Sequence, residues 1–182
     1  MTVRANKPAF SIREKLKELD YAHVPYDKMP AGSVIQVVQG TSTDALNLQN
    51  TTLTNAPGTV TIYPKYSTSK ILVLYNSAGI ARGTLDSMGL RLMRNDTKIH
   101  ARARYTYQGA PNGNSNIHPA PIVVNFLDEP NTTEAITYKI QVQIQTTDGT
   151  AGWQINTGEG SNAFPDIGST STATMIAMEI AQ

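Results

Sequence analysis

The chain contains no cysteine, which excludes disulfide staples and thiolate metal sites and leaves the redox compartment open. Histidine is scarce. His23, His100 and His118 are the three present, and none stands in an HxH or HExxH spacing, so no metal site is expected. Charge is sparse and balanced, 15 Lys and Arg against 14 Asp and Glu, and nothing in it calls for nucleic acid as a partner. Apolar runs are short, none reaching the roughly 18 residues of a membrane span. The first residues also lack the apolar core of a signal peptide. A soluble chain outside the common export route, without membrane insertion, is therefore expected. A nucleophile elbow and a phosphate-cradling glycine loop are both missing, and no cofactor is expected.

What is present is strand and turn, preceded by one helical signal. In "FSIREKLKELD", Ser11 and Glu14 form a capping box, and Ile12, Leu16 and Leu19 share one helical face. Three turns do not persist alone in water, so this face must pack on its own domain or on a partner. "YAHVPYDKMPAG", with Pro25 and Pro30, reads as a linker. From Ser33 the pattern changes: "SVIQVVQ", "TVTIYP", "SKILVLYN", "MGLRLMRN", "KIHARARYTY", "APIVVNFL", "AITYKIQVQIQ", "GWQIN" and "TATMIAMEIA" follow. In "AITYKIQVQIQ" the apolar Tyr138, Ile140, Val142 and Ile144 alternate with Lys139, Gln141, Gln143 and Gln145, one buried and one polar face. Eight or nine short strands separated by Gly, Pro, Asn and Thr turns predict an all-β, jelly-roll-like β-sandwich. The expected organisation is an arm, helix and linker over 1–29 and a β-sandwich domain over 30–182.

Candidate chemistry is thin. The adjacent Asp128 and Glu129 could each pair with another carboxylate for glycoside hydrolysis, but their place before Pro130 reads as a polar turn. Glu179 alternates with Met175 and Ala177 and is expected to meet a base such as Lys139 or Arg102. His100, Arg102 and Arg104 share one side of a strand, a solvated or intersubunit face. Tyr105 and Tyr107 point the other way, so the stacking platform of a nucleic-acid site is lacking. Tyr107, Asn112, Asn114, Asn116 and Trp153 lie in or beside loops and could offer a glycan a stacking surface with amides; the competing reading buries Trp153 in the core. The amide-rich face of Lys139, Gln141, Gln143 and Gln145 suggests a symmetric contact between copies, since amides can satisfy one another.

The phrases "MPAGSVIQVVQG", "TVTIYPKYSTSKILVLYN", "LRLMRNDTKI", "LDEPNTTEAITYKIQVQ" and "STSTATMIAMEIAQ" resemble, in order, virion proteins of tailed phages, especially marine and cyanobacterial ones. In those proteins a β-sandwich serves tail fibres and head or tail appendages. The resemblance covers Pro30 to Gln182 and implies a non-enzymatic structural protein, trimeric heads similar to tumour-necrosis-factor-like or C1q-like domains being the family pattern, with no catalytic residue to carry over. It further implies a virion location, on tail or capsid surface, with other virion proteins as partners and host attachment as a role. "FSIREKLKELD" resembles segments near the start of some phage structural proteins, which makes Ile12, Leu16 and Leu19 the expected tether. A linker of about 12 residues leaves no room for a fibre shaft. That points to a short tail fibre or appendage, with a capsid decoration or head-surface protein as the alternative. A carbohydrate-binding lectin or small glycan-active enzyme is the alternative from another class.

Overall fold

Alternation of inward apolar and outward residues builds this molecule strand by strand, and β10 (Ile136–Ile144) shows it most cleanly. Ile136, Tyr138, Ile140, Val142 and Ile144 are at most 1% exposed, while Thr137, Lys139, Gln141 and Gln143 face outward. The computed structural model describes residues 26–48, 50–82, 85–108, 117–119, 121–145, 152–156 and 171–182. The helix-forming segment with Ile12, Leu16 and Leu19 lies outside the described residues, as do Asn112, Asn114 and Asn116.

The other strands are β1 (Val34–Ser42), β2 (Leu46–Leu48), β3 (Thr54–Ile62), β4 (Lys70–Ser77), β5 (Gly79–Arg82), β6 (Leu85–Arg94), β7 (Thr97–Gln108), β8 (Ile117–Pro119), β9 (Ile122–Asp128), β11 (Gly152–Ile155) and β12 (Ala173–Ile180). A first sheet has the order β1-β12-β4-β9 and a second β3-β10-β6-β7. All pairings are antiparallel. Numbering only these eight main strands along the chain, the orders are 1-8-3-6 and 2-7-4-5. That interleaving is the jelly-roll arrangement of two Greek keys, so the all-β sandwich expected from the strand count is the fold of this chain.

The remaining strands, ordered β2-β11-β5-β8, repeat the first sheet's order because they prolong it. β2 follows β1, β5 follows β4, β8 precedes β9 and β11 precedes β12. Asn156 sits at the break between the two parts. It is fully buried, in the left-handed region at φ 60°. Its Nδ2 donates to the carbonyls of Ser42 and Asp44, both at 2.9 Å, and its backbone N–H donates to Ala78 O at 2.8 Å. Its Oδ1 accepts from Ser171 Oγ at 3.0 Å. One asparagine thus supplies the backbone groups that the interrupted ladder leaves open. His118 belongs to β8, a strand of three residues, too few to show a period.

The core fills the space between the sheets. Ile71, Val73, Tyr75, Ile122, Val124, Met175 and Ala177 come from the first, and Val60, Ile62, Leu90, Leu92 and the inward residues of β10 from the second. Each fully buried Val, Leu or Ile stabilises the fold by about 1.5–3 kcal/mol relative to leaving it exposed. At one corner β1 runs so close to β3 that a Cβ on Gly40 would collide with the carbonyl oxygen of Thr59. β3 itself carries a bulge opposite Ile140, where Gly58 takes φ 88°. Tyr75 crosses the sandwich there, its phenol donating to Pro57 O at 2.8 Å.

Candidate functional site

The carboxylates that the sequence offers for chemistry are spent on the fold. Glu179 on β12 and Asp128 on β9 flank Ile71 of β4 in one register row, and all three are buried. Glu179 meets neither Lys139 nor Arg102. Its Oε1 accepts from the backbone N–H groups of Lys65 (2.8 Å) and Tyr66 (3.2 Å), and its Oε2 from Gln36 Nε2 (2.6 Å). Gln36 Nε2 also donates to Tyr63 O at 2.7 Å. The expected bases lie elsewhere: Lys139 is on the outer face of the second sheet, 3.4 Å from Asp96, and Arg102 donates to Val123 O at 3.1 Å. A buried carboxylate met by three N–H donors closes the turn after β3 onto the first sheet.

Asp128 clamps the two sheets together. Arg94 Nη1 lies 3.1 Å from each of its carboxylate oxygens, and the Tyr138 phenol donates to Oδ2 at 2.7 Å. Burial, then the hydrogen bond to Asp128 and its charge, push the Tyr138 ionisation far above the usual phenol range. Glu129 points out and pairs with Lys70 at 2.7 Å. Each of the two carboxylates is thus engaged by a partner of its own, Asp128 by Arg94 and Tyr138 and Glu129 by Lys70.

The basic strand β7 is an edge strand of the second sheet. His100 stacks on Phe126 with ring centroids 5.0 Å apart, and Arg102 reaches Val123 of the same strand β9. Both pair in register with the buried Leu92 and Leu90. They lie along the open edge between the sheets, with His100 half-buried and Arg102 exposed to solvent. Trp153 is 1% exposed and belongs to the core cluster, opposite Leu48 and Ala81. It offers no face to a sugar, which settles its role in favour of packing. Tyr107 lies on β7 opposite Asp86. Among the described residues no cluster of three or more His, Asp or Glu could hold a metal, and no helix is long and apolar enough to cross a membrane.

The feature with functional content is the difference between the two outer faces. On the second sheet most outward residues of β3 and β10 are polar and bonded to each other or to Arg91, with Met93 opposite Lys139 and Ala101 opposite Arg91 as apolar exceptions. Arg91 Nε donates to Gln141 Oε1 (2.8 Å), and Gln141 Nε2 donates to Asn55 Oδ1 (2.9 Å). Thr61 and Thr137 share a hydroxyl bond of 2.8 Å, and Gln143 donates to Thr51 O. The amides expected to await a symmetry mate thus find partners within their own chain. On the first sheet the outward residues form apolar rows. Val37, Met178, Leu72 and Leu127 make one row across all four strands. Ile176 and Leu74 continue it in the next row, between Gln39 and Asn125. Val37 is 55% exposed, Leu127 49% and Val123 41%. A depression of about 450 Å³, lined in part by Leu74, Ile176, Asn125 and Val123, indents this face. Antiparallel sheets with one solvated side ordinarily carry polar residues there. A contiguous apolar patch marks a contact surface.

Fold and faces together define a jelly-roll β-sandwich with one mostly polar outer side and one largely apolar outer side. No protein-family model matches the chain, and no curated protein matches it. Among solved structures it is similar to a protein of infectious bursal disease virus, Gt strain, at 16% identity and TM-score 0.36, over 85% of this chain and 41% of that one. It is similar to the VP2 subviral particle of infectious bursal disease virus at 13% identity and TM-score 0.33, over 82% and 39%. Dimeric latent PorU from Porphyromonas gingivalis gives 10% identity and TM-score 0.33, over 87% and 14%. The chain spans less than half the length of each of these. Likenesses this loose assign neither a family nor a function to the chain.

Proposed function

We propose that this chain is a non-enzymatic structural module of a virion, packed against other proteins on one side and wetted on the other. The observation that supports this reading is the contrast of outer faces: Val37, Met178, Leu72 and Leu127 on one sheet, bonded amides and hydroxyls on the other. The buried carboxylates, occupied by Arg94, Tyr138, Gln36 and backbone N–H groups, favour scaffold over catalyst. The ordered phrases shared with tailed-phage virion proteins supply the particle. Within this reading the chain is a short tail fibre or appendage, a homotrimer held to its particle by residues 1–29. Ile12, Leu16 and Leu19 form the tethering face, and the 30–182 body is displayed. A capsid-surface position is the second form of the same reading. Host-glycan binding through Tyr107, Asn112 and Asn114 would belong to the appendage form, without Trp153.

The experiment is gold labelling of purified particles with an antibody to this chain, alongside a deletion of residues 1–20. Label on the particle and its loss on deletion are the expected results. Absence of the chain from particles would remove the virion reading. Shortening of a host surface polysaccharide by the purified chain, abolished by Glu129→Ala or Glu179→Ala, would overturn the non-enzymatic one.

A further inference from the structure

We propose that the apolar outer face of the first sheet is the seat of a second copy of this chain, packed sheet against sheet. This rests on the structural-module reading and names the partner of the face. The face suits a copy of itself because it is nearly free of charge. Lys70 stands at its rim, already paired with Glu129, and the Glu179 carboxylate is turned inward and fully buried. Like can meet like here without taking an ion out of water, a cost that a charged face would incur.

The polar groups on the face fit the same occupant. Gln39, Asn125 and Asn76 lie among the apolar rows, and an amide carries both donors and acceptors, so it can pair with its own symmetry mate. In a twofold pairing the order Val37-Met178-Leu72-Leu127 is met by its reverse. The most exposed side chains of the row, at the edges, then oppose each other. The 450 Å³ depression beside Leu74 and Ile176 gives an opposing side chain a place to enter. Packed sheets of this kind sit about 10 Å apart with strands about 30° from parallel. Four strands about 4.8 Å apart and about five residues of about 3.3 Å each give a footprint of roughly 300 Å². That is below the roughly 800 Å² per partner of a standard interface. The pairing is therefore weak between free chains and becomes strong only where neighbours hold the copies together.

The test is sedimentation equilibrium of the full chain from about 10 μM to about 1 mM, the range in which so small an interface closes. Reversible association is expected. Leu72→Asp with Leu127→Asp should weaken it at least tenfold, while Thr61→Asp with Gln141→Glu on the other face leaves it unchanged. Should the first pair fail to fold by circular dichroism, Val37→Asp alone carries the same expectation at the most exposed position of the row. A monomer throughout the range overturns the proposal, as does loss of association from the second-sheet pair only. Association lost in Leu16→Ser with Leu19→Ser but kept in the first-sheet pair also overturns it, and assigns contact to the N-terminal segment. Particle labelling separates the two claims: an associating chain absent from virions leaves this inference standing and removes the virion reading, and a monomeric chain present on virions does the opposite.

Discussion

The two sheets of this sandwich share an interior and differ in what they show the outside. Strand β10 reads Ile-Thr-Tyr-Lys-Ile-Gln-Val-Gln-Ile, and its outward residues are bonded to neighbours on the same face. Strand β4 reads Lys-Ile-Leu-Val-Leu-Tyr, with Leu72 and Leu74 outward where β10 has Lys139 and Gln141. A strand in one-sided contact with a core needs apolar residues only at alternate positions. The second set of apolar residues in β4 and β12 is not required by the core between the sheets, and in the proposed pairing it serves a contact between copies.

That comparison presumes that the sheets are locked back to back, and the strongest way to break it is to cut the lock. Asp128→Ala removes the clamp between β9 of one sheet and Arg94 and Tyr138 of the other. Breaking a buried pair costs about 3–5 kcal/mol. Arg94 keeps partial access to water, which places the expected loss near about 3 kcal/mol in urea unfolding. A loss below 1 kcal/mol would mean that the clamp is not what holds the sheets.

Alkali tests the second lock. Burial raises the Tyr75 phenol to about 12, above its unfolded value of about 10. The folded state therefore holds this proton after the unfolded chain has lost it. The stabilisation is complete below about pH 10 and disappears as pH rises through about 12, amounting to about 2–3 kcal/mol. Tyr138 shifts in the same direction and adds to the alkaline loss. Denaturant midpoints between about pH 9 and about pH 12 should fall, and Tyr75→Phe should flatten the fall.

Two gentler substitutions sharpen the contrast itself. Gln141→Ala removes the links to Arg91 and Asn55 and should cost the monomer about 1 kcal/mol, as net hydrogen bonds do. Leu127→Gln, at a position 49% exposed, should move the monomer by no more than about 0.5 kcal/mol. A dilute thermal melt of each variant decides the order. Were Leu127→Gln the costlier, the apolar face would be part of the monomer's own packing.

Much of the fold was legible because long strands announce their period. The β10 alternation and the apolar β12 stand where the sequence puts them. The prolonged part of the first sheet was hidden. β2 and β8 have three residues each and β5 and β11 four, too short for periodicity to register, and only β11 was read. The strand read as "TVTIYP" begins earlier, at Thr54, and Pro57 and Gly58 form a bulge inside it. Partners across the sandwich were the hardest to foresee. Glu179 was matched with cations by charge alone, whereas backbone N–H groups from the turn at Lys65 and Tyr66 reach it. Asn156 gave no signal at all, since its role depends on three carbonyls and a hydroxyl from three separate segments. The contrast of faces was in plain view in "ILVLY" and "MIAMEI" against "TYKIQVQIQ", and required only the register to become a surface.

Hydroxyl-radical footprinting of the full chain, dilute and then concentrated or on the particle, measures the two faces most directly. Met178 and Leu127 on the first sheet should become protected as the chain assembles, with Thr61, Gln141 and Gln143 on the second unchanged. Equal labelling of Met178 and Leu127 in both states, or protection confined to the second sheet, would contradict the division into a packed side and a wetted side.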